Sequence, residues 1–246
     1  MEEKFKLYDI RPREIYEYIA DVNDENDQAY IRNKKINKNN IFFDNKVNDY
    51  IDNEGYFNDE FYERSDSKEI IKSMYELFEC YIHAKFCELS KNYDCVTVEK
   101  YVPEKNDLKG NEGYKEVAKN NKNNNEPLED AYISGPIVPD IVLKYNDKYF
   151  IYDVKCKDSR GSGNSRDDRL QLLAYQVMYG AAEIGHIFPA QRDDAISAQK
   201  EYDIISKNAK VNLVSEKQVD YYQYDVNIGN IDATINVILT RLVGKN

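Results

Sequence analysis

The 246-residue chain lacks several features that would assign it to a common class of protein. It has no Gly-rich phosphate loop and no Walker motif, so nothing in the sequence supports a nucleotide-binding function. No run of apolar residues approaches the roughly 20 that cross a bilayer. The first residues lack the basic and then apolar layout of a signal peptide. We therefore expect a cytoplasmic protein without a membrane partner.

Positive charge is also in deficit. Lys and Arg number 34 against 45 Asp and Glu, giving a net charge of −11, which opposes unassisted binding to nucleic acid. Residues 131–170 are the exception, with seven basic and six acidic residues. Candidates for contacts with phosphate groups are Lys157, Arg160, Arg166 and Arg169. A solvated loop would have the same composition, and both interpretations stay open.

Residues 139–155 predict two β-strands joined by a tight turn. The turn falls at Asn146 and Asp147, residue types that tolerate positive φ. Counting outward from a two-residue loop places Asp140 directly across from Asp153. Opposed residues of an antiparallel pair share a face, with Cβ atoms roughly 4.5 to 5.5 Å apart. The sequence thus predicts two converging carboxylates.

A lysine joins this pair. Lys155 lies two positions beyond Asp153, and strand side chains alternate faces, so its ammonium group shares the face of both carboxylates. The residues interleaved with these three along the two strands are apolar, which predicts a site shielded from solvent. Two shielded carboxylates repel each other unless one is protonated or a cation lies between them. A hard divalent metal with oxygen ligands is the simplest solution.

Two predicted helices flank the hairpin. The upstream helix runs from about 67 to 89, with Asp66 expected as its N-cap, and it carries Glu79 on or beside its apolar face. The downstream helix begins near Asp167 and stacks Gln171 above Tyr175, four residues apart. Ordinary amphipathic helices would show the same periodicity.

These residues resemble a known family. Pro139-Asp140, twelve residues and then Asp153-Val154-Lys155 resembles the motif of the PD-(D/E)xK nuclease superfamily. Gln171 and Tyr175 on the following helix resemble its RecB-like branch. The Leu-Phe-Glu run that ends at Glu79 is most similar to McrC, the nuclease subunit of McrBC-type restriction systems.

The resemblance spans about residues 66–190 and implies a fold and an active site. The implied fold is α/β, a restriction-endonuclease-like core with a mixed central sheet flanked by helices. Residues 66–246 would form the nuclease domain, and residues 1–65 are an N-terminal region of unassigned fold.

In the implied site, Mg²⁺ or Mn²⁺ is bound by Asp140, Asp153 and the backbone carbonyl of Val154. Glu79 completes the first metal site or helps to hold a second ion. Lys155 orients the attacking water or stabilises the transition state. Gln171 and Tyr175 position the attacked strand or support that lysine.

The implied activity is metal-dependent cleavage of DNA as part of a restriction or anti-phage defence system. An AAA+ NTPase or another defence-system subunit is the implied partner, although residues 1–65 are shorter than the region through which McrC relatives contact their GTPase. Two alternatives stay open: a RecB-like exonuclease that processes DNA ends, and a catalytically idle scaffold in a nucleic-acid complex.

The positions of the four cysteines in the sequence do not fit an iron–sulfur cluster site. Some RecB-like nucleases bind an iron–sulfur cluster with one cysteine upstream of the active site and three downstream. Here Cys80, Cys87 and Cys95 lie upstream and Cys156 alone lies downstream, so we expect reduced thiols and no iron–sulfur cluster.

Overall fold

A six-stranded mixed sheet organises the protein, whose structure is a computed structural model that describes residues 10–21, 49–99, 139–157, 166–190, 205–212 and 218–244. The strands are β1 Val96–Val98, β2 Ile141–Tyr145, β3 Lys148–Val154, β4 Glu183–Pro189, β5 Ile205–Asn212 and β6 Gln218–Val226. The helices are α1 Pro12–Asp21, α2 Asp59–Tyr62, α3 Ser67–Ser90, α4 Arg166–Tyr179 and α5 Ile231–Val243, with a 3-10 turn at Ile228–Asn230.

The strand order across the sheet is β1-β2-β3-β4-β6-β5. Strands β3, β4 and β6 run parallel to one another, and β1, β2 and β5 pair antiparallel with their neighbours. Helix α4 connects the parallel strands β3 and β4, as a parallel connection requires. The expectation of an α/β fold with a mixed sheet flanked by helices is therefore confirmed.

The central hairpin has the predicted turn and register. Asn146 and Asp147 both adopt positive φ, at 49° and 57°. Such a pair of left-handed residues matches the twist of the two strands it joins. Tyr145 pairs with Lys148, and Ile141 pairs with Tyr152. One step further from the turn, this register places Asp140 across from Asp153. The turn residues alone were enough to predict which side chains would meet.

Helices cover the two faces of the sheet unequally. Helices α1 and α5 pack on α3, and all three contribute to the larger hydrophobic core, whereas α4 covers the other face over β3 and β4. The described parts of residues 1–65 join that larger core through Ile15, Ile19, Phe57 and Phe61, all of which are buried. This N-terminal region thus shares a core with the sheet domain.

The sequence predicts Asp66 and Asn230 as helix N-caps, and they occupy the N-cap positions of α3 and α5, but neither side chain makes a capping hydrogen bond. The Asp66 carboxylate binds the guanidinium of Arg64 at 2.7 and 2.8 Å. Before α5, Asn227 accepts a hydrogen bond from the backbone N–H of Gly229 and caps the 3-10 turn that precedes the helix. The predicted cap positions are therefore confirmed, whereas the side-chain hydrogen bonds of those caps are not formed.

Strand β1 is shorter than the sequence pattern predicts. The run from Cys95 to Val102 alternates in polarity and by itself predicts one strand, but β1 covers only Val96–Val98, and residues 100–102 lie outside the described ranges. Cys95 has a φ of 64°, which is left-handed backbone and cannot continue a strand.

No helix within the described ranges has the length and apolar character to span a membrane.

Candidate active site

Two aspartates lie at adjacent strand ends, as the register predicts. Asp153 is the penultimate residue of β3 and is 2% exposed; Asp140 directly precedes β2 and is 8% exposed. The backbone N–H of Val154 donates to Asp140 Oδ2 at 2.8 Å, which fixes that carboxylate against the end of β3. The hairpin therefore holds both carboxylates in one buried position.

The environment of Asp153 is unfavourable for its negative charge. Burial and repulsion from Asp140 raise the pKa of the Asp153 carboxyl to about 8, against the opposing effect of Lys155. The ammonium Nζ of Lys155 lies 2.5 Å from Asp153 Oδ2 and forms an ion pair with it. Additional positive charge would stabilise this carboxylate.

A divalent cation fits these donors. Mg²⁺ commonly binds proteins through one or two carboxylates and keeps water molecules in its remaining positions. Asp140 and Asp153 supply two such carboxylates, and both are buried. Among the described residues, no group of three or more His, Cys, Asp or Glu side chains is arranged to hold a metal. A metal ion held by the aspartate pair would therefore take its remaining ligands from backbone oxygens or water.

Lys155 is fixed by a short chain of polar side chains from α4. Its Nζ donates to Gln171 Oε1 at 3.1 Å, and Gln171 Nε2 in turn donates to the hydroxyl of Tyr175 at 2.7 Å. Burial lowers the pKa of Lys155, but Asp153 and the other nearby carboxylates outweigh it and hold that pKa above its usual value. The lysine is charged at neutral pH and has a fixed orientation.

Asp168 adds a carboxylate to the site, although its sequence position beside Asp167 predicts only an acidic helix N-terminus. It is 8% exposed, in the first turn of α4, with an oxygen 3.9 Å from the ammonium of Lys155. Its other oxygen accepts from Lys157. Lys157, a candidate for contacts with phosphates, thus forms an ion pair with Asp168, although its side chain is 37% exposed. The pairing of Lys157 with Asp168 spans eleven residues, which no local pattern signals.

Glu79 is half-buried on α3, near Cys156. Burial, and then the charge of Glu79, raise the pKa of the Cys156 thiol well above its usual value. Glu79 therefore lies close to the chain just beyond Lys155. It does not form a three-carboxylate group with Asp140 and Asp153.

The remaining candidates for DNA contacts lie elsewhere. Arg160 falls outside the described residues. Arg166 and Arg169 are exposed and line an apolar cavity of about 310 Å³ between α4 and the outer strands. At 100° per residue, both project from the side of α4 opposite to Gln171 and Tyr175. These arginines are not directed at the aspartate pair.

His186 is a neighbour of the site, although its place in a short predicted strand, residues 185–189, favours a structural role. It pairs with Asp153 in the parallel register of β3 and β4, and its Nε2 lies 4.0 Å from Asp153 Oδ2. Burial and the charge of Lys155 lower the pKa of His186 to about 4, so the imidazole is neutral at physiological pH. The available signal is a histidine among the buried residues 184–189 of β4.

Comparisons with known proteins add one distant likeness. No protein-family model matches the chain, and no protein of curated function matches it. A similar solved structure is a refined half-complex from a tetradecameric assembly of Thermococcus gammatolerans McrB AAA+ hexamers with bound McrC. The matched chain is 17% identical with a TM-score of 0.43; the match covers 69% of this chain and 33% of that one. This chain thus spans about a third of its neighbour, a likeness too weak to carry a functional argument.

Proposed function

We propose that this protein is a metal-dependent nuclease that hydrolyses phosphodiester bonds of DNA. The observation that carries the proposal is the convergence of Asp140, Asp153 and a fixed, charged Lys155 at the end of one hairpin. Two carboxylates and a lysine in this order match the PD-(D/E)xK pattern of the sequence. We include in this proposal that the mixed sheet and its helices form a PD-(D/E)xK nuclease core.

The aspartates would bind the metal ion. Asp140 and Asp153 supply carboxylate oxygens, and the backbone carbonyl of Val154 is the third proposed ligand. When bound, Mg²⁺ or Mn²⁺ supplies Lewis acidity and lowers the pKa of a coordinated water. The protein contributes the fixed direction of the carboxylates, which the hydrogen bond from the Val154 N–H to Asp140 maintains.

Lys155 would act on the reacting phosphate. Its ammonium group has a fixed position because Gln171 accepts one hydrogen bond from it, and Tyr175 orients the amide of Gln171. A preoriented cation stabilises the negative charge that develops on a phosphate in the transition state without having to reorganise. Gln171 and Tyr175 are therefore positioning residues for Lys155.

The biological setting is a restriction or anti-phage defence system. A net charge of −11 gives the isolated chain little general attraction for DNA, so a subunit that delivers the DNA would complement it. On the family resemblance, that subunit is an AAA+ NTPase. Affinity purification of the tagged chain from its source cells, with ATP and GTP hydrolysis assayed in the eluate, tests the partnership; an eluate without NTPase activity contradicts it.

The nuclease proposal is tested with a panel of DNA substrates. Closed circular and linear DNA, methylated and unmethylated, are incubated with Mg²⁺ or Mn²⁺, or with EDTA. We expect metal-dependent cutting by the wild type and by Lys148→Met, a matched control that removes an exposed lysine from the same strand. Asp153→Asn and Lys155→Met should not cut.

The form of the substrate distinguishes the two nuclease alternatives. Cutting of closed circles identifies an endonuclease, whereas degradation of linear DNA alone identifies an exonuclease. Equal cutting by the wild type and Lys155→Met would contradict the proposed site.

A further inference from the structure

Helix α4 carries a row of apolar side chains that are accessible to solvent. Leu170 is 51% exposed, Val177 is 68% exposed, and Leu173 between them is half-buried. At 100° per residue, the three project from α4 within a sector of about 60°. That sector lies on the opposite side of the helix from Gln171 and Tyr175, which hold Lys155 in the candidate active site. A molecule bound to the row would therefore leave the aspartate pair open.

An apolar cavity adjoins the row. Its volume is about 310 Å³, with Leu170 and Leu173 on the helix side and Ile184, Val211 and Tyr221 on the sheet side. The row and the cavity together form a continuous apolar surface, which we call the α4 groove. Exposed apolar surface of this kind marks sites at which proteins bind a partner or a ligand.

The spacing along α4 fits a helical occupant. Four residues on this side of the helix are separated by four, three and four positions, namely Arg166, Leu170, Leu173 and Val177. This spacing is typical of the seam along which two helices pack side by side. The seam is about 16 Å long, and Val177 at its end lies outside the lining of the cavity. A second helix would cover the whole seam, whereas a small ligand in the cavity would leave Val177 exposed.

Two arginines determine which charge the occupant should carry. Arg166 and Arg169 are exposed at the N-terminal end of the groove and line the cavity. Arginine is enriched among the residues that contribute most to protein interfaces, and a carboxylate on the partner is its electrostatic complement. A second copy of this chain is a poor match, because the same seam of its own α4 contains no acidic residue. Two chains that each carry a net charge of −11 also repel each other.

We infer that the α4 groove is the docking surface for an amphipathic helix of a different protein chain. This helix carries bulky apolar side chains along one face and an Asp or Glu at the end that meets Arg166 and Arg169. Its apolar face covers Leu170 and Val177. The inference goes beyond the proposed function, because docking requires neither a bound metal ion nor cleavage of DNA.

Photo-cross-linking in the source cells tests the surface and the chemistry of its occupant together. p-Benzoylphenylalanine is placed at Val177 and, in a separate control protein, at Lys72, an exposed residue of α3 on the other face of the sheet. The cross-linked peptides are sequenced by mass spectrometry. We expect Val177, but not Lys72, to cross-link to one predominant peptide of another protein. That peptide should have apolar residues at helical spacing and an Asp or Glu about three turns from the cross-linked residue.

Reversing the charge of the arginines gives a second readout. Arg166→Glu combined with Arg169→Glu should lower the yield of the Val177 cross-link at least about 10-fold, because like charges then face each other. Arg166→Lys combined with Arg169→Lys should retain most of the yield. Lys68→Glu combined with Lys72→Glu makes the same change of charge on exposed residues of α3 and should leave the yield unchanged. Circular dichroism of each purified variant confirms that it is folded.

The remaining outcomes are equally decisive. A Val177 cross-link to a second copy or to the same chain overturns the inference, and so does a yield no higher than that of Lys72. A cross-linked peptide without an acidic residue, or a yield that charge reversal does not change, also overturns it. A cross-linked partner that lacks NTPase activity supports the docking surface and contradicts the proposed AAA+ partnership.

Discussion

Asp153→Asn is expected to stabilise the metal-free protein at alkaline pH while it abolishes cleavage. In the wild type, burial and Asp140 raise the carboxyl pKa of Asp153 from 3.8 to about 8. The folded protein therefore binds this proton more tightly than the unfolded chain does. The associated stability is fully present below pH 3.8 and is lost as pH rises through about 8. Asparagine has nearly the same shape and does not titrate.

The magnitude follows from linkage. Between these two pKa values, the wild type loses ~1.4 kcal/mol of unfolding free energy per pH unit, or roughly 4 kcal/mol from about pH 5 to about pH 8. The substitution also takes from Lys155 its nearest carboxylate, which offsets part of the gain. We expect Asp153→Asn to gain about 2 to 4 kcal/mol on the wild type over that range.

The assay is urea unfolding followed by circular dichroism in EDTA across this pH range, with extrapolation to zero urea. Asp147→Asn is the control, since it removes one carboxylate from the exposed turn of the same hairpin. Excess Mg²⁺ should stabilise the wild type at alkaline pH and leave Asp153→Asn unchanged. Parallel pH curves for the wild type and Asp153→Asn in EDTA would refute the reasoning.

Three further predictions address the site and the core. Gln171→Ala should slow DNA cleavage about 10-fold or more in a single-turnover assay, because it releases Lys155 from its fixed orientation. Gly185→Ala should lower the free energy of unfolding in urea by about 3 kcal/mol, since the added Cβ would lie 2.5 Å from a backbone oxygen of β6. Arg241→Met should lower it by about 3 to 5 kcal/mol by leaving the fully buried Glu183 charged, and Glu183→Gln in the same chain should recover part of the loss.

Local features of the fold could be predicted from the sequence. The turn at Asn146 and Asp147 set the register of the hairpin, and that register brought Asp140 and Asp153 together. Helix α3 was expected from about 67 to 89 and runs from Ser67 to Ser90, because an amphipathic pattern of this length favours one state. In both cases the residues that interact are close in the chain.

Contacts between distant segments could not be predicted in the same way. The approach of His186 to Asp153 depends on the parallel register of β3 and β4, which helix α4 and its connections separate in the chain. The pairing of Lys157 with Asp168 depends on how α4 docks on the sheet. Asp66 shows the limit of local rules as well, because it occupies the N-cap position of α3 but its carboxylate binds Arg64 and makes no capping hydrogen bond.

The most direct test of the proposed active site is the rate at which closed circular DNA is nicked in Mn²⁺ with protein in excess over DNA. Excess protein compensates for the weak attraction between an acidic chain and DNA. We predict nicking by the wild type and Lys148→Met that EDTA abolishes, and a rate for Lys155→Met lower by at least about 100-fold. Nicking by Lys155→Met at the wild-type rate, or a wild type inert in Mn²⁺, would contradict the assignment of Asp140, Asp153 and Lys155 as a hydrolytic centre.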